Sequence, residues 1–564
     1  MTVSECFASI LEWFEVTDIF GIPGGILLDV LYSLDKREQI NLHLCYHEQA
    51  AAYAACGYAQ CSGKLGVAYG TKGPGVANMI TAIADAYYDS LPVLFFTAHA
   101  KEKKIGNIRS LYDQETDFTE MLRDITKYSV RIDQADSAGA EILKACRIAM
   151  TGRKGPVFID IASNILKKES VLPDVQNVVA DGIDIQNIHY IEEVASAIRV
   201  AKSPVFLVGD GVRYSKALDY ITSISKKNDI PILSSRISQD LFTDKENYYG
   251  YIGSHGLRYS NFILSKADLI VAFGNRLAYP TESNSYRQVT MNAKKIRIDV
   301  DGEEFNRHIP NSIAIQVDAL FFSEKLQNQN CEYYHSHKWL ETCNILRNTL
   351  KNYDTEYPVN IYANILKNLP LSYVCVTDIG NHELWFSRAY ALVHKRFKIV
   401  PSKSFKTVGS AVAKAIGAYY ASRKSIACFI GDQGLQYNIQ ELQYIAMHRL
   451  PIMIIVCNNN SLGMIRTNEK EMGYSYFLQS TVESNFNNPD YEKIAIAYGL
   501  DYTCLAGYTS EITDLLQKTL TGGHILEIQI LTETDMLQKL PKENPCQKFE
   551  PALEETLYQK LDKM

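Results

Sequence analysis

The feature that most constrains this chain is its set of short, uncharged apolar runs. Leu91–Ala98 reads LPVLFFTA and Pro451–Cys457 reads PIMIIVC. Neither approaches the roughly 20 residues that a membrane-spanning helix needs. Neither alternates apolar with polar, as a strand with one wet face would. Such runs suit strands buried on both faces, the habit of parallel sheets. Parallel neighbours must be joined by crossovers, usually helices. Helix-patterned segments are therefore expected between the runs.

They are present throughout. SECFASILEWFE places Phe7, Ile10, Leu11 and Phe14 on one helical face. VTDIF reads as a strand entering the turn GIPGG. HEQAAAYAACGYAQCSG reads as an alanine-rich helix ending at Gly63, LGVAYG as a strand, TKGPG as a tight turn and VANMITAIADAYYDS as a helix. With LPVLFF and GPVFIDI these make a first unit over residues 1–166. A polar stretch, Lys167–Asn187, leads to a second unit over 188–328 with four strands, SPVFLVGDG, DIPILSS, ADLIVAFG and KKIRIDVD. A charged, aromatic segment, Gln329–Pro358, precedes a third unit over 358–534 with SYVCVTDIG, KSIACFIGD, LPIMIIVCN and GHILEIQI. The polar tail, 535–564, contains Pro541, Pro545 and Pro551 and is expected to act as a lid or docking arm. Alternating strands and helices predict an α/β protein of three doubly wound parallel-sheet domains.

Composition narrows the partners. The 57 basic and 64 acidic residues give a net charge of −7, without the basic footprint of a nucleic-acid binder. The 46% apolar and 21% charged content is that of an ordinary globular protein. Twelve cysteines are scattered without a CxxC pair, as in reduced thiols of a cytoplasmic protein. The first residues, MTVSECFASILEWFEV, lack the basic n-region of a signal peptide. The expectation is a cytoplasmic protein with no membrane or nucleic-acid partner.

Chemistry concentrates at Gly431-Asp432 and the run Asn458-Asn459-Asn460. IACFI would deliver the aspartate at a strand's C-terminal end, where open α/β sheets bind ligands. LQYNIQELQYIAMHRL reads as the following helix, whose N-terminal amides can receive an anion. PIMIIVC then returns to the same sheet edge with the asparagines. One carboxylate and one amide oxygen beside a helix start form a hard-oxygen site suited to Mg²⁺ with phosphate. The plainer alternative makes Asp432 a helix cap and the asparagines an ordinary loop.

GDQGLQYNIQEL…LPIMIIVCNNNSLGMIR resembles the diphosphate–metal motif of the thiamine diphosphate (ThDP) enzymes, in their acetolactate synthase-like branch. GIPGG, YHEQAAAYAACGYA, GTKGPGVAN, DSLPVLFFTA, TDIGNHELW and KTVGSAVAKAIGA follow that family's order over nearly the whole chain. The resemblance implies ThDP and Mg²⁺ as cofactors. It assigns Asp432, Asn459 and the Ser461 carbonyl to the metal. Gly431, Asp432, Gln433, Gly434, Asn381, His382, Leu462, Gly463 and Met464 would bind the cofactor, with Gly431 and Gly434 admitting close approach of its diphosphate. Glu48 would face the pyrimidine N1′ as the proton relay, with Gln114 as a second catalytic residue. Val408 would wedge the cofactor into a bent shape, and the Lys406 carbonyl would accept from its amino group. In this family the cofactor joins the first domain of one subunit to the third of another, which implies a homodimer or homotetramer.

The sequence also departs from the pattern. Gln433 and Lys406 stand where the family has glycine, and Val408 is smaller than the usual residue. Asn468 replaces a tryptophan of the acceptor pocket, His99 a glutamine and Asp113 a phenylalanine. A more polar acceptor side points to a hydroxylated ketone or aldehyde. The middle unit binds FAD in some relatives, and Gly253, Gly256 and GNRLA (274–278) resemble that site only in part, which leaves FAD open. The expected activity is decarboxylation of a 2-oxo acid, with pyruvate as the donor, and carboligation of the resulting carbanion to a carbonyl acceptor. A non-ligating decarboxylase, an FAD-dependent oxidase and a non-catalytic ThDP-fold subunit stand as alternatives.

Overall fold

The structure is a computed structural model. It describes all residues except 101–113, 115, 175–188, 279–286, 333–335, 356, 537–538 and 542. Three sheets of six strands each follow one another along the chain, and every strand pairing within them is parallel. The first contains β1 (Asp18–Gly21), β2 (Asn41–Leu44), β3 (Gly66–Tyr69), β4 (Val93–His99), β5 (Tyr128–Ile132) and β6 (Val157–Ala162), in the order β2-β1-β3-β4-β6-β5. The second contains β7 (Pro204–Val208), β8 (Ile232–Ser234), β9 (Tyr248–Tyr251), β10 (Leu269–Phe273), β11 (Lys294–Asp299) and β12 (Ser312–Gln316), in the order β12-β11-β10-β7-β8-β9. The third contains β13 (Val374–Thr377), β14 (Lys398–Val400), β15 (Ile426–Gly431), β16 (Ile452–Asn458), β17 (Asp501–Leu505) and β18 (His524–Gln529), in the order β14-β13-β15-β16-β18-β17. The expected α/β class holds.

Sequence reading finds the four inner strands of each sheet and misses the two outer ones. β2, β5, β9, β12, β14 and β17 are all edge strands. Five of them are partly exposed along their length, so they lack the continuous apolar run that betrays a central strand. β9, Tyr-Tyr-Gly-Tyr, is buried but hidden by its glycine and tyrosines.

The first and third units pack through two helices, Glu48–Ser62 and Ala411–Ser422. Small residues bring the backbones together. A Cβ on Gly57 would lie 2.2 Å from the Lys414 carbonyl oxygen, and one on Gly417 would lie 1.8 Å from that of Ala54. The segment after 328 is not a plain linker. Helix Ser336–Leu350 buries Cys343, Leu346 and Leu350 in the core of the second unit, and Trp339 Nε1 donates to the Pro204 carbonyl at 3.0 Å. The tail docks on the same core through Leu540, Cys546, Phe549 and Leu561. Among the described residues no helix is long and apolar enough to cross a membrane.

Candidate active site

β13, β15 and β16 are adjacent in the third sheet, and their carboxyl ends gather the metal–diphosphate candidates. Gly431 closes β15 in extended conformation, and Asp432 opens a short helix, Asp432–Tyr437. Asp432 is therefore the first helical residue and not the cap. The expected single helix is broken at Asn438, whose side chain turns away to donate to the Gly409 carbonyl at 2.7 Å. An asparagine that finds such an acceptor competes with helical hydrogen bonding.

Asp432 is 4% exposed. Burial pushes its carboxyl up to about 6, while Asn488 and the amides of Gln433, Asn459 and Ser461 pull it back. Its Oδ1 accepts from the Gln433 amide at 2.8 Å, and its carbonyl accepts from the Tyr491 hydroxyl at 2.7 Å. Asn459 and Ser461 are buried beside it, with Ser461 Oγ donating to the Ser480 carbonyl at 2.8 Å. Leu462 leads into helix Gly463–Glu471, and Met464 lies half-buried on that helix. A Cβ on Gly463 would stand 2.8 Å from Asn459 Nδ2 and 3.2 Å from Asn381 Nδ2, so the two amides meet at this glycine.

Asn381 and His382 begin helix Asn381–Val393, just past β13. Both are buried, and Asn381 Nδ2 and His382 Nε2 have no hydrogen-bond partner among the described residues. Burial holds the His382 imidazole down at about 4, hence neutral. Buried polar groups without partners are rare and call for a ligand or a water. A carboxylate, an amide oxygen and the unpartnered Asn381 donor at one sheet edge fit a metal-bound diphosphate. Among the described residues no group of three or more His, Cys, Asp or Glu side chains assembles, which a site of one carboxylate, one amide and one carbonyl does not require.

Two supporting residues escape the sequence reading. Asn488 Nδ2 donates to Asp432 Oδ2 at 2.8 Å and lies 3.0 Å from Asn458 Oδ1 and 3.1 Å from Asn460 Oδ1. It ties the β15 and β16 ends together. Asp378 follows β13 and accepts from the amides of Gly409 (2.7 Å) and Ser410 (3.2 Å), fixing the turn that carries Lys406 and Val408. Gly434 makes room for it: a Cβ there would lie 2.6 Å from Asp378 Oδ2. Lys406 sits at φ +59°, a conformation that explains why glycine suits this position. Val408 is 40% exposed, so it is no core valine. Gln433 is half-buried and gives its amide to Asp432.

The pyrimidine-side candidates lie on the first sheet. His47 caps helix Glu48–Ser62, its Nδ1 accepting from the Gln49 amide at 3.1 Å, and Glu48 takes the first turn. Glu48 Oε2 accepts from Asn78 Nδ2 at 2.9 Å, a partner the sequence reading passed over. The turn TKGPG lies between the two catalytic candidates. A Cβ on Gly75 would be 3.4 Å from Glu48 Oε1, and one on Gly73 would be 2.6 Å from the Gln114 carbonyl oxygen. Gln114 is exposed, at φ +62°. No hydrogen bond joins Glu48 to the Asp432 group among the described residues.

His99 is not an acceptor-facing group. Its Nδ1 lies 2.8 Å from Asp160 Oδ1 and its Nε2 2.9 Å from Asp133 Oδ1, so both nitrogens are engaged. Asp113 lies outside the described residues. Asn468 does face open space, in a cavity of about 2110 Å³ that also touches Asn381, Lys406, Met464 and Thr467. The cavity continues along the carboxyl ends of the second sheet, past Gly253, Asp299 and Asp318.

Comparison with known proteins agrees with this geometry. Residues 1–121, 191–326 and 378–530 match the N-terminal TPP binding domain, the central domain and the C-terminal TPP binding domain of thiamine pyrophosphate enzymes. The acetolactate synthase large subunit of Lactococcus lactis subsp. lactis (strain IL1403) is 30% identical, over 95% of this chain and 94% of its own. The probable acetolactate synthase large subunit of Methanococcus aeolicus is 29% identical, over 89% and 87%. The acetolactate synthase isozyme 2 large subunit of Escherichia coli (strain K12) is 29% identical, over 86% and 87%.

Proposed function

Because the chain belongs to the thiamine pyrophosphate enzymes, in their acetolactate synthase group, we propose that its donor is pyruvate and its acceptor a hydroxylated ketone or aldehyde. The reaction class is ThDP-dependent decarboxylation of a 2-oxo acid with carboligation to a carbonyl. The observation that carries the reading is the buried convergence of Asp432, Asn459, Asn381 and His382 on neighbouring strand ends.

ThDP, when bound, supplies a carbon acid at C2 that can add to a 2-oxo carbonyl and hold the electron pair left by CO₂. The chain's residues orient and protect that chemistry. Asp432, Asn459 and the Ser461 carbonyl would hold Mg²⁺, which would supply positive charge for the diphosphate. The unpartnered Asn381 Nδ2 would donate to it, with the buried His382 ring packed alongside. Glu48, steadied by Asn78, would hold a proton toward the pyrimidine N1′. Gln114 stands beside it across the TKGPG turn. Val408, 40% exposed, would offer its apolar surface to the cofactor. As the family resemblance implies, the complete site would pair Glu48 of one chain with the Asp432 group of a second, in a homodimer or a homotetramer. Asn468 would supply a polar acceptor wall, a role His99 does not take.

The cavity exceeds the roughly 300–1,000 Å³ of common small-molecule sites. Its place along the strand ends of an open α/β sheet, with carboxylates Asp299 and Asp318 as acceptors for ribose hydroxyls, fits a dinucleotide. FAD is the proposed occupant, and a colourless purified protein would overturn that assignment. The deciding experiment for the reaction gives purified protein, ThDP, Mg²⁺ and labelled pyruvate a panel of aldehydes, ketones and keto-sugars. Mass spectrometry should find a ligated, labelled product with a hydroxylated acceptor. Carbon dioxide without any ligated product would make the protein a simple decarboxylase. Glu48→Gln should bind ThDP and lose turnover, and an active variant would remove Glu48 from its role.

A further inference from the structure

Glu441 stands on the segment that follows Asp432, in the turn Ile439–Glu441, and it is completely buried. Its side chain interacts with neighbouring Gln440 but also leaves its own unit. It crosses to the first, where Oε1 accepts from the Tyr46 amide at 2.9 Å over a sequence separation of 395 residues. Tyr46 belongs to the short link between β2, which ends at Leu44, and the helix that opens with Glu48. The link has few other anchors. The Cys45 amide donates to the Gly21 carbonyl at 3.2 Å, and His47 is committed to capping the helix. Of its side chains Cys45 is buried in the core, whereas Leu44 and Tyr46 are 48% and 41% exposed. The placement of Tyr46, two residues before Glu48, therefore depends on a main-chain bond to a carboxylate from another domain.

A buried carboxyl is a costly way to satisfy one amide. Burial pushes Glu441 up to about 7, against the pull of the Tyr46 and His47 amides, and its charge in turn opposes ionisation of buried Cys45. Such a group is retained where its reach and geometry matter. A displacement of about 1 Å in a catalytic group can cost on the order of 100-fold in rate, and Glu48 moves with the start of its helix.

We propose that Glu441 is a positioning residue for Glu48: it reaches from the third domain to the Tyr46 amide and sets the start of the helix that presents the relay glutamate. The inference rests on the assignment of Glu48 above and extends it across the domain boundary. It also makes one segment serve both halves of the chemistry, since the run that begins with Asp432 ends by fixing the approach to Glu48.

The test compares Glu441→Ala with Glu441→Gln, which keeps an oxygen acceptor at nearly the same reach. Amide hydrogen exchange of residues 45–48, measured without cofactor, is the first readout. In the alanine variant it should quicken by about tenfold or more, with helix Ala411–Ser422 as protected as in the parent. The second readout is the split of kinetic constants: kcat should fall by roughly 10- to 100-fold while KM for pyruvate changes less than about threefold. Glutamine should restore both the protection and most of kcat. Parental kcat in Glu441→Ala, a loss of kcat with the 45–48 amides still protected, or a glutamine variant as impaired as alanine would each overturn the proposal. The underlying assignment fails separately, by an active Glu48→Gln enzyme, and the exchange result would then still report whether Glu441 anchors the link.

Discussion

Asn488 shows how much of this site is made by single side chains that no motif marks. One amide nitrogen serves the Asp432 carboxylate and the oxygens of Asn458 and Asn460. Groups behind metal ligands commonly change metal affinity by 10- to 100-fold when removed. Asn488→Ala should therefore raise the Mg²⁺ concentration needed for half-maximal ThDP binding by about tenfold, as read by calorimetry at fixed ThDP. Asp378 allows a prediction in pH. Burial pushes its carboxyl up to about 7 against the Gly409 and Ser410 amides and the Lys414 charge. In an unfolded chain it titrates near pH 4. Between about pH 4 and pH 7 the folded protein keeps a proton that the unfolded chain has lost, so rising pH weakens this contribution to stability, which is level above that window. Asp378→Asn removes the titration and sets an amide against backbone N–H groups. Its stability deficit, followed by thermal melts, should be largest at about pH 4 and shrink toward pH 7. The metal and relay candidates could be nominated from sequence because they lie within short motifs. Asn488, Asp378, Asn78 and Glu441 were not, because their partners lie 56, 31, 30 and 395 residues away and only the tertiary fold brings them together.

At the scale of elements, legibility followed burial. A central strand such as β16 is buried at every position and reads as a continuous apolar run. An edge strand such as β17 is exposed or half-buried throughout, so its sequence, Asp-Tyr-Thr-Cys-Leu, carries no run to read. Helix contacts obey a different economy, that of size. Helices Glu48–Ser62 and Ala411–Ser422 touch backbone to backbone at Gly57 and Gly417, which neither propensity nor hydrophobic pattern would single out. Gly417→Ala would put a methyl 1.8 Å from the Ala54 carbonyl oxygen, so the helices must part. Overpacking of this kind costs about 1–3 kcal/mol or more, and the melting temperature should fall accordingly. Gly25→Ala, where a Cβ would meet nothing within 4 Å, is the matched control and should melt within about 1 °C of the parent. A Gly417→Ala protein as stable as that control would show that the helix pair is not held at the observed distance.

The whole molecule is joined at a buried charge cluster where all three units meet. Asp85 of the first unit pairs with Lys414 of the third at 2.6 Å, both completely buried. Lys403 of the third pairs with Asp210 of the second at 2.5 Å, and the Asp89 carboxylate accepts from the Ser404 amide at 2.7 Å. Thr407, between Lys406 and Val408, donates to Asp85 Oδ1 at 3.2 Å, so the turn that would lie under the pyrimidine hangs from the same cluster. Breaking one partner of a buried pair strands the other charge and costs about 3–5 kcal/mol, whereas replacing both with apolar groups of similar volume is often neutral. Lys414→Met should thus lower stability by about that amount in denaturant titrations, and Asp85→Leu combined with Lys414→Met should recover most of it. Activity should separate the two contributions. The double variant keeps the packing but loses the Asp85 oxygen that Thr407 donates to, so it should regain stability while kcat stays below that of the parent. Full recovery of both would make the pair a fastener alone. Recovery of stability without activity would tie the domain junction to the cofactor turn, through one hydroxyl and one carboxylate.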